Sequence, residues 1–147
     1  MKPAFRFAQE SDSALILEFI RKLAEYENLL DQVVADEPLL REQLFEKQQA
    51  EVVFALENGK EVGFALFFHN FSTFLGRSGL YLEDLFVLPE YRGKGLAATL
   101  ESFMINRTLQ KGFIPYGQVF SNNEVSHRLQ EKLGLYPAKS SIWWVGK

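Results

Sequence analysis

The sequence predicts a single α/β domain built on a central mixed sheet with helices on its faces. Three observations lead there. Segments of period-two and period-3.6 hydrophobicity follow one another in the order β-α-α-β-β-β-α-β-α-β, a pattern that buries its apolar faces only as layers. Apolar residues make up 47% and aromatics 14% of 147 residues, enough for one rich core and not for a disordered chain. The stretch Gly79–Ala98, GLYLEDLFVLPEYRGKGLAA, reads as strand, glycine turn and helix start in direct succession.

In chain order, Lys2–Ala8 alternates, with Phe5 and Phe7 on one face of a short strand. Ser11, Asp12 and Ser13 offer caps for a helix to about Asn28, with Ile16, Phe19, Ile20 and Leu23 as its inward stripe. Asp36 caps a second helix, with Pro38 in its first turn. Glu51–Leu56 and Glu61–His69 read as strands joined at Asn58-Gly59, a hairpin signal. Asn70–Ser78 reads as a loop before the central strand. A helix over Leu96–Leu109 buries Leu96, Leu100, Phe103 and Met104. Ile114–Phe120 is a strand, Asn122–Leu133 a helix ended by Gly134, and Ser141–Val145, with Trp143 and Trp144, a last strand.

Composition narrows the chemistry. The formal charge of −3 argues against nucleic acid and permits a cationic substrate. With no cysteine there is no disulfide, thiolate metal site or thiol nucleophile. No 18-residue apolar run or signal-peptide pattern occurs, so a soluble cytoplasmic protein without a membrane partner is expected. No metal-ligand spacing pattern along the chain includes His69 or His127, and both read as structural.

The chemistry concentrates in the central stretch. Glu83 and Asp84 interrupt a nearly continuous apolar strand, which is costly unless they are paired or solvated in a cleft. Arg92-Gly93-Lys94-Gly95, at a helix N-terminus, is a ready anion site. Gly93–Ala98 also fits a loose dinucleotide fingerprint, but no acidic residue stands in Tyr116–Phe120, where a ribose partner is needed. A P-loop fails because no Gly-Lys-Ser/Thr follows at the required spacing. The remaining pattern is R-x-x-G-x-A, here Arg92, Gly95 and Ala97 behind LEDLFVLPEY.

With these residues the chain resembles the GNAT acetyltransferases, and within them the diamine branch of spermidine/spermine and thialysine type. LAEYENLLDQV at Leu23–Val33, VGFALFF at Val62–Phe68 and LYLEDLFVLPEYRGKGLA at Leu80–Ala97 carry the resemblance, which spans Phe5 to Gly134. It implies a mostly antiparallel twisted sheet, acetyl-CoA as cofactor, a direct ternary complex and a homodimer. It implies Glu83 as the base at the substrate amine, desolvated beside Tyr81 and Leu85. In an ideal strand Asp84 points to the opposite face, unless a bulge intervenes.

The backbone of Leu85, Phe86 and Val87 is implied to pair with the pantetheine arm. The N–H groups of Gly93, Lys94, Gly95, Leu96, Ala97 and Ala98 hold the diphosphate, with charge added by Arg92 or Lys94. Asn123 and Ser126 match positions that touch the cofactor. Tyr26 and Glu27 match the pair that holds a distal cation, with Asp31 close in sequence.

One position departs from the family. Where it places a tyrosine as acid for the departing thiolate, this chain has Gln130, in HRLQEKLG; Tyr116 and Tyr136 are nearby in sequence but do not match. Glutamine cannot give up a proton but can hydrogen-bond sulfur. A thiol of pKa ~8.5 leaves as thiolate without full protonation, so activity is expected to persist. Two further readings stay open: acetylation of another amine, such as an amino-acid analogue or a protein N-terminus, and a coenzyme-A-binding regulator without catalysis.

Overall fold

The computed structural model describes residues 3–117 and 123–137. Among the described residues one sheet holds five strands in sequence order: β1 (Ala4–Phe7), β2 (Glu51–Glu57), β3 (Lys60–Ser72), β4 (Arg77–Val87) and β5 (Ile114–Gly117). The first three pairings are antiparallel and the β4–β5 pairing is parallel. A parallel step needs a long crossover, which α3 (Leu96–Gln110) supplies. Helices α1 (Ser13–Tyr26) and α2 (Glu37–Arg41) fill the β1–β2 connection, and α4 (Glu124–Lys132) follows β5.

Alternation along the strands divides the core in two. Val52, Phe54, Phe64 and Phe86 face one side, where Ile16, Phe19 and Leu44 pack against them. Val53, Ala55, Ala65, Phe67 and Leu80 face the other, under Leu100 and Met104 of α3. Helices therefore cover both faces, as expected. The Phe19 ring lies 5.7 Å from Phe54 and 5.4 Å from Phe64. Truncating Phe54, fully buried at their centre, should cost about 3–5 kcal/mol.

Arg6 ties the start of the chain to the sheet, at 2.8 Å from Asp12 and 2.6 Å from Glu61. That use of Asp12 explains why its carboxylate accepts the Gln9 N–H instead of capping α1. Asp36 does cap α2, through the Leu39 N–H. Asn58 and Gly59 both take positive φ, as a two-residue hairpin demands.

The expected loop Asn70–Ser78 is instead mostly strand. β3 runs to Ser72 and β4 begins at Arg77, with Asn70 opposite Gly79. This end of the ladder rests on main-chain pairing and buries little, so no hydrophobic alternation marks it. Phe103 packs beside the core without full burial, stacked on Phe5 at 4.9 Å. Gly134 ends α4 as expected, with the Leu135 N–H bonded to the Gln130 carbonyl at 3.0 Å. The expected strand Ser141–Val145, with Trp143 and Trp144, lies outside the described residues, as does Ile114–Phe120 beyond Gly117.

Candidate active site

One irregularity in β4 builds the acidic half of the site. Leu66 lies opposite Asp84 and Phe67 opposite Leu82, so Glu83 is an extra residue, a β-bulge. The bulge breaks the alternation that would send Asp84 to the far face. Asp84 instead comes under the charges of Glu83 and of Glu27, the residue that follows α1. Burial, then repulsion from Glu83 and Glu27, pushes the Asp84 pKa up to about 6. The bulge is the exception allowed for in the sequence, so Asp84 joins Glu83 in one cluster. One expectation is corrected: burial falls on Asp84, whereas Glu83 is exposed. Asp31 sits in water on the turn Leu30–Gln32 and is not among the charges acting on Asp84.

A wall of rings stands beside these acids. Tyr81 lies 5.0 Å from Phe68 on β3 and 5.2 Å from Tyr116 on β5. Burial, and after it the negative charge of Glu83, raises the Tyr81 pKa. Gly79 makes room for the wall, since a Cβ there would come within 2.6 Å of the Tyr116 ring. Carboxylates flanked by aromatic rings suit a cation carried on a carbon chain.

The other half is made of main chain. β5 pairs with β4 only over Gly79–Leu82, so among the described residues nothing pairs with the outer edge of β4 beyond Leu82. The Leu88 N–H bonds to the Val62 carbonyl, and counting back by twos turns the Phe86 amide groups toward β3. Leu85 and Val87 therefore present main-chain groups outward, whereas Phe86 contributes its ring, 6.3 Å from Tyr26. An extended ligand can pair with Leu85 and with the Val87 N–H, the Val87 carbonyl being taken by Arg92, but not with the Phe86 backbone.

Next along the chain, Gly93 and Gly95 both take φ +77°. Among the described residues no backbone acceptor takes the N–H groups of Gly93–Ala98; Thr99 is the first to return one, to Gly95. Leu96 anchors the helix start against Val62 and Val87. A Cβ built on either glycine meets nothing within 4 Å, so the turn is open. It fits the diphosphate of acetyl-CoA as an array of N–H donors at the positive end of a 15-residue helix.

Both cations expected at the phosphates are engaged elsewhere. Arg92 donates its Nε to the Val87 carbonyl at 2.8 Å, and its guanidinium lies 4.4 Å from the Tyr26 ring and 5.1 Å from Phe86. Lys94 lies 3.5 Å from the Glu57 carboxylate and over the Tyr91 ring. Asn123 caps α4 by accepting the Ser126 N–H. One turn on, Gln130 comes within reach of Glu101, a buried carboxylate of α3.

Glu101 and the Phe68–Tyr81–Tyr116 wall escaped the sequence reading. A carboxylate between Leu100 and Met104, on an apolar helix stripe, was the available signal for the first; the second needed the β4–β5 register. His69 packs edge-on to Phe113, and its Nε2 lies 3.7 Å from the Glu51 carboxylate, an acidic neighbour that spacing along the chain did not show. Among the described residues no cluster could hold a metal ion, and no helix is long and apolar enough to cross a membrane.

Residues 17–135 match the Acetyltransferase (GNAT) family model. The thialysine N-epsilon-acetyltransferase of Bos taurus is 39% identical over 116 residues, covering 73% of this chain and 68% of its own. The Mus musculus protein of that name is 33% identical over 150 residues, covering 95% and 88%. A predicted acetyltransferase from Clostridium acetobutylicum, solved with acetyl-CoA, superposes with a TM-score of 0.79 at 15% identity, covering 98% and 96%. Sequence and fold thus agree with the open turn, and the chain belongs to the GNAT acetyltransferases, enzymes that take their acetyl group from acetyl-CoA.

Proposed function

We propose that the chain is an N-acetyltransferase acting on a primary amine of a small dicationic substrate, a polyamine or a thialysine- or lysine-like diamine. The observation that carries this reading is the bulge at Glu83, which gathers Glu83, Asp84 and Glu27 beside the open edge of β4. The names of the bovine and mouse relatives point the same way. The same reading takes the enzyme as a cytoplasmic homodimer without nucleic-acid or membrane partners, supported by the family resemblance and the charge of −3.

The chemistry follows from amine pKa. An alkylammonium titrates near 10 and attacks only once its proton is gone. The Glu83–Asp84 pair draws the cation in and takes that proton. Glu83, exposed at the bulge, receives it through water. From Glu83 the proton passes to Asp84, which is poised near 6 and suited to accept it at neutral pH, so the relay needs both carboxylates.

Tyr26 and Glu27 hold the distal ammonium, and the ring wall lines the carbon chain between. Acetyl-CoA supplies the acetyl group as a thioester. Leu85 and Val87 offer their main-chain edge to its pantetheine arm, and the N–H groups of Gly93–Ala98 hold its diphosphate. Asn123 and Ser126 flank it from α4, and Gln130 donates a hydrogen bond at the sulfur in place of an acid.

The test is thiol release from acetyl-CoA with a panel of diamines, monoamines, amino acids and an N-terminal peptide. Diamines should be acetylated with the highest kcat/KM. Turnover restricted to the other amines would move the substrate class. Coenzyme A binding without turnover of any amine would leave a non-catalytic binder.

A further inference from the structure

Glu101 is, among the described residues, the only buried charged side chain, 3% exposed on the side of α3 that also buries Leu100, Met104 and Thr108. Its Oε2 has no hydrogen-bond partner among the described residues. Among the described residues the side chain of Gln130 on α4 comes close enough to act on it, opposing the upward pull of burial on the carboxyl pKa. A half-satisfied buried carboxyl costs stability, and a leucine would suit this stripe better. A residue that breaks the local packing rule without a structural return marks a functional demand.

Glutamine carries two N–H donors on one amide nitrogen. With one given to Glu101, the other keeps a fixed direction, and a carboxylate acceptor polarises the amide so that this second donor is strengthened. We propose that Glu101 is a positioning residue for the acetyl transfer: it fixes the Gln130 amide so that its remaining N–H meets the sulfur as the carbon–sulfur bond breaks. This rests on the role given to Gln130 above. In that step the amine nitrogen bonds to the acetyl carbon and its proton passes to the Glu83–Asp84 pair and on to water. The sulfur leaves with the bonding electron pair as a thiolate, which the Gln130 N–H stabilises without transferring a proton.

The variants are Glu101→Leu, Glu101→Gln, Gln130→Leu and the Glu101→Leu/Gln130→Leu double. Each is read by thiol-release kcat and KM, coenzyme A Kd by calorimetry, and Tm. Glu101→Leu should lower kcat roughly tenfold with amine KM and coenzyme A Kd unchanged, and should raise Tm by about 2–4 °C. Glu101→Gln keeps an acceptor for Gln130 and should stay within about threefold of wild-type kcat. The double variant should be no slower than Gln130→Leu.

A Glu101→Leu protein with wild-type kcat, one that fails to fold, or effects that multiply in the double variant would overturn the proposal. An impaired Gln130→Leu beside an unimpaired Glu101→Leu removes Glu101 alone. An unimpaired Gln130→Leu removes the Gln130 role itself.

Discussion

The two halves of the site are made of different material. The turn Gly93–Ala98 is main chain: positive φ at two glycines, N–H groups at a helix start, and neighbouring cations tied to other partners. The acidic half is side chain: three carboxylates from two elements, brought together by one extra residue in a strand. A surface of N–H donors recognises any diphosphate in the same way, whereas the spacing and burial of carboxylates distinguish one amine from another. Under the proposed function this difference assigns cofactor affinity to backbone conformation and amine choice to side-chain chemistry, so mutations should separate the two.

The largest separation is expected from Asp84→Asn. It should lower kcat/KM for a diamine by roughly a thousandfold while coenzyme A Kd, measured by calorimetry, stays unchanged. The reverse separation comes from Gly95→Val. A β-branched side chain at φ +77° is strained, so the turn rearranges and coenzyme A affinity should fall about a hundredfold.

Glu27→Gln should raise KM for diamines about tenfold and leave monoamines untouched, as steady-state kinetics on matched substrates would show. Unchanged diamine KM would remove the distal-cation role. Thermal unfolding of Asp84→Asn adds a fourth check. The Asp84 pKa is higher folded, at about 6, than the ~3.9 of an unfolded aspartate, so its ionisation opposes folding. That cost is absent below about pH 4 and complete above about pH 6. The variant should therefore be more stable by about 2 kcal/mol at pH 8 and no more stable at pH 4. The smallest effect belongs to Lys94→Ala, which should weaken coenzyme A by less than about threefold, because the lysine already pairs with Glu57.

The same division explains what the sequence reveals. The glycine turn is local: Arg92, Gly93 and Gly95 lie within four residues and state their geometry outright. The element order as far as α4, the Asn58-Gly59 hairpin, the Asp36 cap and the Gly134 stop are legible too, and all are present. What one residue's spacing could not reveal was register. Whether Asp84 faces Glu83 depends on which residue of β3 lies opposite Leu82, and alternation alone gives the wrong face. Arg92 reads as a phosphate ligand from its neighbours in sequence, but folding places Tyr26 and Phe86 against its guanidinium. Glu101 shows its purpose only when α4 brings Gln130 to it.

The central claim is that the bulge turns Asp84 into an acceptor poised for the amine's proton. The most direct test is the pH dependence of diamine kcat/KM in the wild type and in Asp84→Asn, compared over about pH 5 to 8. The account predicts that wild-type kcat/KM falls as pH drops through about 6, and that this limb is lost in the variant's residual activity. A variant that keeps the wild-type limb and most of its turnover would contradict it.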